Sequence, residues 1–355
     1  MRGAIARMKI GVLNNAAPFM RGGAEHLAEA LVRRLIEAGH QACLYRIPFQ
    51  WNPQEKILDS MLAARLLQFP NLDLVIPFKF PVYTVHHPKK VVWLVHQFRQ
   101  AYDLWGTDLQ GLTADRDGER IRSMIINADH EFLPEARKIF VNSHITADRL
   151  RKFNGIGSEV LYPPLAEPEL LGPGPQGDYI FCAGRINASK RQHLLVEAMR
   201  FTRSGVRLLL AGSHESPAEE AQMRVLMADS KIAAKVEWLP GYLDEDRKRE
   251  YFRKCLAAAY IPVDEDSYGY VTMEAFLCEK PALTCTDSGG IHILVADNET
   301  GYITQPTPKA LAVAMDRLFE DRAKTFDMGQ AAGSRLSDLG IAWPAVIKRL
   351  IEAAQ

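Results

Sequence analysis

What this 355-residue sequence lacks narrows its class before any motif is read. No stretch approaches the roughly 18 apolar residues that a membrane-spanning helix needs, and the start MRGAIARMKI has no apolar region long enough for a secretory signal. Net charge is absent as well: 43 Lys+Arg oppose 43 Asp+Glu, so the field that draws a protein to nucleic acid is missing and nucleic acid is not an expected partner. The five cysteines, Cys43, Cys182, Cys255, Cys278 and Cys285, form no CxxC pair and no compact framework. Lying in apolar stretches, they are expected as buried thiols in a reducing compartment, which makes the protein cytoplasmic. The first 160 residues carry 21 Lys+Arg against 16 Asp+Glu, an excess that suits at most a peripheral contact with an anionic membrane face.

What is present is 47% apolar and 24% charged residues, the balance of a folded globular protein, over a length that suggests two domains. Short apolar runs alternate with amphipathic segments. Strands are expected at Lys9–Leu13, Ala42–Ile47, Leu72–Ile76, Lys90–Val95 and Lys138–Val141, with a helix from Glu25 to Ala38 that places Leu27, Leu31, Leu35 and Ile36 on one face. A Pro/Gly-dense segment follows, and the pattern restarts with strands at Tyr179–Ala183, Val206–Ala211, Val236–Leu239, Ala257–Ile261 and Ala282–Cys285. Helices are expected between them at Ser189–Met199, Pro217–Met227, Glu245–Cys255 and Tyr270–Cys278. This is α/β architecture: two doubly wound, Rossmann-like domains, residues 1–168 and 178–338, joined by a linker at 169–177 and followed by a terminal segment at 339–355. Such sheets bind ligands beyond the carboxyl ends of their strands, so a ligand cleft between the two is expected.

Four segments carry the chemistry. Arg21-Gly22-Gly23-Ala24-Glu25 lies between the first strand and its helix, where paired glycines let backbone approach a ligand and helix amides favour a phosphate. The GxGxxG fingerprint of a dinucleotide site is missing there, which counts against a dehydrogenase. Gly184-Arg185 to Lys190-Arg191 follows the first strand of the second domain and offers two cations to a diphosphate. In Asp264-Glu265-Asp266-Ser267-Tyr268-Gly269-Tyr270-Val271-Thr272-Met273-Glu274, three acids precede a helix start; carboxylates there accept bonds from sugar hydroxyls, although acids before a helix are also ordinary capping chemistry. Thr286-Asp287-Ser288-Gly289-Gly290 is a glycine turn, uninformative by itself.

Taken in order, strand–GGAE–helix, GRxxxxK, Asp266-x7-Glu274 with an internal aromatic-Gly, Lys280-Pro281-Ala282, DSGG and Asn298-Glu299-Thr300-Gly301 resemble the retaining glycosyltransferases of family 4, which have the GT-B fold. Asn142-Ser143 and Val160-Leu161-Tyr162-Pro163-Pro164 match the stretch that those enzymes carry before the linker. The resemblance implies transfer of a sugar from a nucleotide diphosphate sugar to a carbohydrate or lipid-linked acceptor, without metal or other cofactor, in bacterial glycan or glycolipid synthesis. By the same resemblance Arg185 and Lys190 would bind the donor diphosphate, with Gly22 and Gly23 approaching it from the first domain. Gly184 and the stretch Tyr268, Gly269, Tyr270, Val271 and Thr272 would frame the donor, and Glu274 would hold the ribose. Asp266, or its neighbour Glu265, would contact the donor sugar, as would His96. Two departures bear on sugar identity: Asp266 is one methylene shorter than the usual glutamate, and His292 and Ile293 stand where the family commonly has proline and glutamate. A nucleotide-sugar epimerase of the same fold and a non-catalytic nucleotide-sugar-binding protein are the alternatives.

Tyr102, Trp105 and the charged amphipathic stretch 115–131 are candidates for the acceptor entrance. At the far end Trp343, Val346, Ile347, Leu350 and Ile351 fall on one helical stripe with Pro344 in the first turn, and the resemblance implies that this helix returns to the first domain.

Overall fold

A computed structural model of the chain describes residues 7–17, 22–107, 110–265 and 268–355. It divides into two compact units, one running to Ala166 and resuming at Ile341–Gln355, the other spanning Glu167–Gly340.

The first unit is built in the order β1 (Lys9–Ala16), α1 (Gly23–Glu37), β2 (Gln41–Pro48), α2 (Lys56–Leu66), β3 (Leu74–Pro77), β4 (Val91–Leu94), α3 (Arg116–Phe132), β5 (Lys138–Val141), α4 (His144–Asn154) and β6 (Glu159–Val160). All pairings are parallel, in the orders β2-β1-β3 and β4-β5-β6, and an isolated parallel bridge between Val75 and Lys90 joins the two. β3 and β4 are buried along their whole length, as expected of parallel strands covered on both faces. β2 is an edge strand, which leaves Cys43 exposed and corrects its expected burial; the other four cysteines are buried. In α1, Leu27, Leu31 and Leu35 are buried but Ile36 is 53% exposed, because a further 100° turn carries it off the stripe. Tyr102 is buried, not at an entrance: its hydroxyl and that of Tyr83 donate to the two oxygens of Asp129 at 2.6 and 2.7 Å.

The second unit follows as β7 (Tyr179–Ala183), α5 (Gln192–Ala198), β8 (Arg207–Ala211), α6 (Pro217–Met227), α7 (Ser230–Ala233), β9 (Val236–Leu239), α8 (Glu245–Lys254), β10 (Ala257–Ala259), α9 (Tyr270–Leu277), β11 (Ala282–Cys285), β12 (Gly301–Thr304), α10 (Pro308–Glu320) and α11 (Arg322–Asp338). Its parallel six-stranded sheet runs β12-β11-β10-β7-β8-β9. α6 shows why a segment starts where it does: the Ser216 hydroxyl accepts from the Glu219 amide, the Glu219 carboxylate accepts from the Ser216 amide, and Pro217 presets the first turn. The Pro/Gly segment before β7 packs within this unit, where the Lys280 ammonium donates to the carbonyls of Gly174 and Pro175 at 2.8 and 2.7 Å.

After the second unit the chain forms α12 (Trp343–Glu352), which belongs to the first. Its Trp343, Val346, Ile347, Leu350 and Ile351 are buried in one cluster with Ile10, Leu27, Leu31, Leu74 and Trp93. No helix among the described residues is long and apolar enough to cross a membrane.

Candidate functional site

Loops at the carboxyl ends of β7, β10 and β11 assemble most of the candidate residues of the second unit. Parallel strands deliver these loops to one edge of the sheet, and backbone bonds tie them together: the Val263 amide donates to the Ser189 carbonyl at 2.8 Å, Asp264 to Asp287 at 2.9 Å and Gly290 to Glu265 at 2.9 Å. Arg191 locks the frame. It sits at φ 55°, a conformation costly for a residue with a side chain. Its buried guanidinium donates twice to the Asp287 carboxylate, both at 2.7 Å, and also to the carbonyls of Ile261 and Pro262. That fork holds the Asp287 carboxyl below its ordinary range.

Within this frame Lys190 reaches from the β7 loop to the segment after β10. Its ammonium donates to the Tyr260 hydroxyl at 2.6 Å and pairs with Glu265, and it lies 4.9 Å from the centre of the Tyr260 ring. Tyr260 in turn donates to Glu265 at 3.1 Å. Lys190 is therefore already engaged by Tyr260 and Glu265. Gly269 and Gly289 shape the same place. A Cβ on Gly269, at φ 71°, would fall 2.3 Å from the Tyr260 ring, and one on Gly289, at φ 72°, would fall 2.5 Å from the Glu265 carbonyl oxygen.

α9 begins directly after Gly269, so its first amides face this cluster with the positive end of the helix dipole. Tyr268 and Thr272 are buried, and Tyr270 and Val271 half-buried, on this turn. One turn further, Glu274 is buried. Burial pushes its carboxyl above the ordinary value, against the opposing pull of Lys248, whose ammonium on α8 lies 2.8 Å from Oε1. Oε2 is buried without a hydrogen-bond partner, as is the Thr272 hydroxyl. Arg185 stands apart from Lys190. Its side chain is 63% exposed and 3.9 Å from Glu215, while its backbone and that of Gly184, at φ 132°, shape the turn after β7. Asp266, the candidate sugar contact, lies outside the described residues. A cavity of about 460 Å³ lined by Leu170, Pro175, Asp246, Arg249, Arg253 and Lys254 includes none of these residues; it is a charged groove on the other face of α8.

In the first unit the candidates gather at the carboxyl ends of β1 and β4. Gly22 precedes α1 in an extended conformation, φ −150°, so no positive φ requires a glycine there. Its amide donates to Glu25 Oε2 at 2.8 Å, and Glu25 Oε1 accepts from Lys79 at 2.7 Å and from the buried Asn14 at 3.3 Å. Gly23 is the exposed first residue of α1. His96 shares a 2.7 Å hydrogen bond between its Nδ1 and the Gln97 carbonyl, and burial lowers its pKa, which leaves the ring neutral at pH 7.

Sequence reasoning gave no role to Tyr260, Arg191, Asp287 or Lys248. Arg191 and Asp287 lay inside quoted motifs, and Tyr260 stands one residue past a strand end, a position that marks ligand loops in open α/β sheets. Lys248 carried no signal at all.

Two Rossmann-like α/β units with parallel sheets define the GT-B class of fold. In Anabaena HepE, solved in complex with UDP-glucose, the same fold covers 98% of this chain and 99% of that one, with a TM-score of 0.71 at 17% identity. Residues 169–335 match the family described as glycosyl transferases group 1. A D-inositol 3-phosphate glycosyltransferase of Jonesia denitrificans is 28% identical over 164 residues, 42% of this chain and 38% of that protein. An alpha-maltose-1-phosphate synthase of Mycolicibacterium smegmatis is 29% identical over 217 residues, 56% of this chain and 54% of its own length. The chain thus spans about half or less of these curated relatives. It has the GT-B fold, and its second unit is similar to the glycosyl transferases of group 1.

Proposed function

We propose that the protein transfers a sugar from a nucleotide diphosphate sugar to an acceptor hydroxyl with retention of configuration and without a metal ion. The observation that carries this reading is the Lys190 ammonium held by Tyr260 and Glu265 beside the N-terminus of α9, with the unsatisfied carboxylate oxygen of Glu274 one turn along the same helix. The family match and the UDP-glucose bound by HepE support it.

In this reading Lys190, Arg185 and the first amides of α9 neutralise the diphosphate as it leaves, the term expected to dominate when charge develops on a leaving group. Glu274 accepts from ribose hydroxyls. Asp266 or Glu265 and the neutral His96 contact the donor sugar, and Gly22 and Gly23 admit it without a side chain in the way. The acceptor hydroxyl attacks on the face from which the diphosphate departs. No side chain serves as a covalent nucleophile. The acceptor is a carbohydrate or lipid-linked glycan precursor, used in the cytoplasm or at the cytoplasmic membrane face.

The test is incubation with UDP-, GDP- and ADP-sugars and a pool of glycan and lipid-linked acceptors, with and without EDTA. Nucleotide release matched by a product one sugar heavier, whose anomeric proton coupling equals that of the donor, is the expected result in both arms. Inverted coupling refutes retention, loss of activity in EDTA with rescue by Mg²⁺ refutes metal independence, and no transfer from any donor refutes the reading.

A further inference from the structure

We propose that Lys248 is a positioning residue of the donor site, holding one oxygen of Glu274 so that the other is presented as a fixed acceptor to a ribose hydroxyl. The inference rests on the assignment of Glu274 to the donor ribose. Lys248 stands on α8 with its ammonium 2.8 Å from Glu274 Oε1 and 2.8 Å from Glu245 Oε2, and its side chain is only 19% exposed. The Glu274 side chain is 8% exposed, and its Oε2 is buried with no hydrogen-bond partner. A buried acceptor left unsatisfied is costly, and in a folded protein it asks for an explanation.

A ligand hydroxyl is that explanation, provided that the carboxyl stays ionised. Burial by itself favours the neutral acid, which carries a proton on one oxygen and can turn either oxygen toward a partner. The adjacent ammonium opposes this, occupies Oε1 and leaves Oε2 as the acceptor for the ribose hydroxyl. Glu245 keeps Lys248 in place and Arg249 contributes positive potential from the same helix. A nucleotide lacking the ribose hydroxyl leaves Oε2 unsatisfied, so the pair Lys248–Glu274 sets a preference for ribonucleotide over deoxyribonucleotide donors.

The experiment is calorimetric titration of the full chain with UDP, GDP and ADP and with their 2′-deoxy and 3′-deoxy counterparts. For the nucleotide that binds, the wild type is expected to prefer the ribo form over the weaker deoxy form by about 10-fold to 100-fold, the worth of a hydrogen bond to a charged group. Lys248→Met keeps the apolar stem and removes the charge; it is expected to bring that ratio to within about threefold of unity while the deoxy affinity changes little. Lys248→Arg retains the preference, and in a Glu274→Gln background Lys248→Met changes the ratio no further. Equal weakening of ribo and deoxy binding, with the ratio unchanged, assigns Lys248 a merely structural part and overturns the proposal. If the wild type itself binds no nucleotide, or binds ribo and deoxy forms alike, the Glu274 assignment falls before Lys248 is touched. Should Lys248→Met fail to fold by circular dichroism, Lys248→Leu, which likewise offers neither charge nor donor, carries the same comparison.

Discussion

Leu350→Ala isolates the contribution of α12 to the first unit. Leu350 is fully buried among Ile10, Leu27, Leu31, Leu74 and Trp93, so truncation removes three carbons from a packed core and leaves a cavity that the β1 and α1 side chains only partly close. Such a change costs about 2–5 kcal/mol, a large share of the roughly 5–15 kcal/mol that stabilises a domain. At about 2–4 °C per kcal/mol for a unit of this size, the melting transition of the first unit falls by roughly 4–20 °C. Scanning calorimetry is the assay, because the second unit has its own core and its transition is expected to stay where it is. Deleting residues 341–355 goes further. It removes five buried side chains worth about 1.5–3 kcal/mol each, together with the Trp343 Nε1 bond to the Leu165 carbonyl at 2.7 Å and the Arg349 bond to the Val160 carbonyl at 2.8 Å. The first unit then loses its cooperative transition, and turnover is lost although Lys190, Glu265 and Glu274 are untouched. A Leu350→Ala protein destabilised by less than about 0.5 kcal/mol, or a truncated one with unchanged melting and turnover, refutes the placement of this helix in the core.

Arg185→Ala and Lys190→Ala should each lower turnover by about 30-fold to 1000-fold with little change in melting, measured by nucleotide release; near-normal rates in both would remove the proposed donor site. Gly289→Ala forces a Cβ to within 2.5 Å of the Glu265 carbonyl at φ 72°, so it should displace the Lys190–Glu265 segment and weaken nucleotide binding at least tenfold, a shift of about 1.4 kcal/mol that calorimetry resolves. Burial raises the Asp129 carboxyl to about 7, outweighing the Tyr102 and Tyr83 hydroxyls that favour its ionised form. A folded-state value above the unfolded one means that this group stabilises fully below about pH 4 and that its contribution is lost as pH rises through 7, by at most about 1.4 kcal/mol per pH unit. Denaturation of the wild type and Asp129→Asn across pH 4–8 should show that slope in the first and not in the second; parallel curves would contradict it.

The parallel-sheet architecture was legible because fully buried strands such as Leu74–Pro77 and Val91–Leu94 are continuous apolar runs between turn residues. Strand ends were less so: the expected run Leu72–Ile76 begins at Leu74, because Leu72 precedes the pairing with β1 that starts at Ile10. β6 has two residues, β12 opens on a glycine, and α2 and α4 carry mixed faces, so periodicity does not announce them. The helix expected from Ser189 begins only at Gln192, since Asn187 holds a turn with its side chain accepting from the Lys190 amide at 2.9 Å. Motif residues on loops could be named from order and type alone, whereas their partners could not. Tyr260 and Lys248 act across distances of 70 and 26 residues along the chain, on Lys190 and Glu274 respectively, and nothing local in a sequence encodes such a meeting.

The discontinuous make-up of the first unit imposes an order of events during synthesis. A ribosome releases residues up to Ala166 first, yet the hydrophobic cluster around Ile10, Leu31 and Trp93 is still missing the face that α12 supplies. The whole of Glu167–Gly340 emerges before that helix does, a continuous segment able to close its own core at once. At about 5–20 residues per second the earlier-made part therefore waits on the order of ten seconds or more with apolar surface uncovered, while the later-made part matures ahead of it. Birth order and folding order are reversed, and the exposed nascent surface over that interval is where a chaperone holding this chain would act.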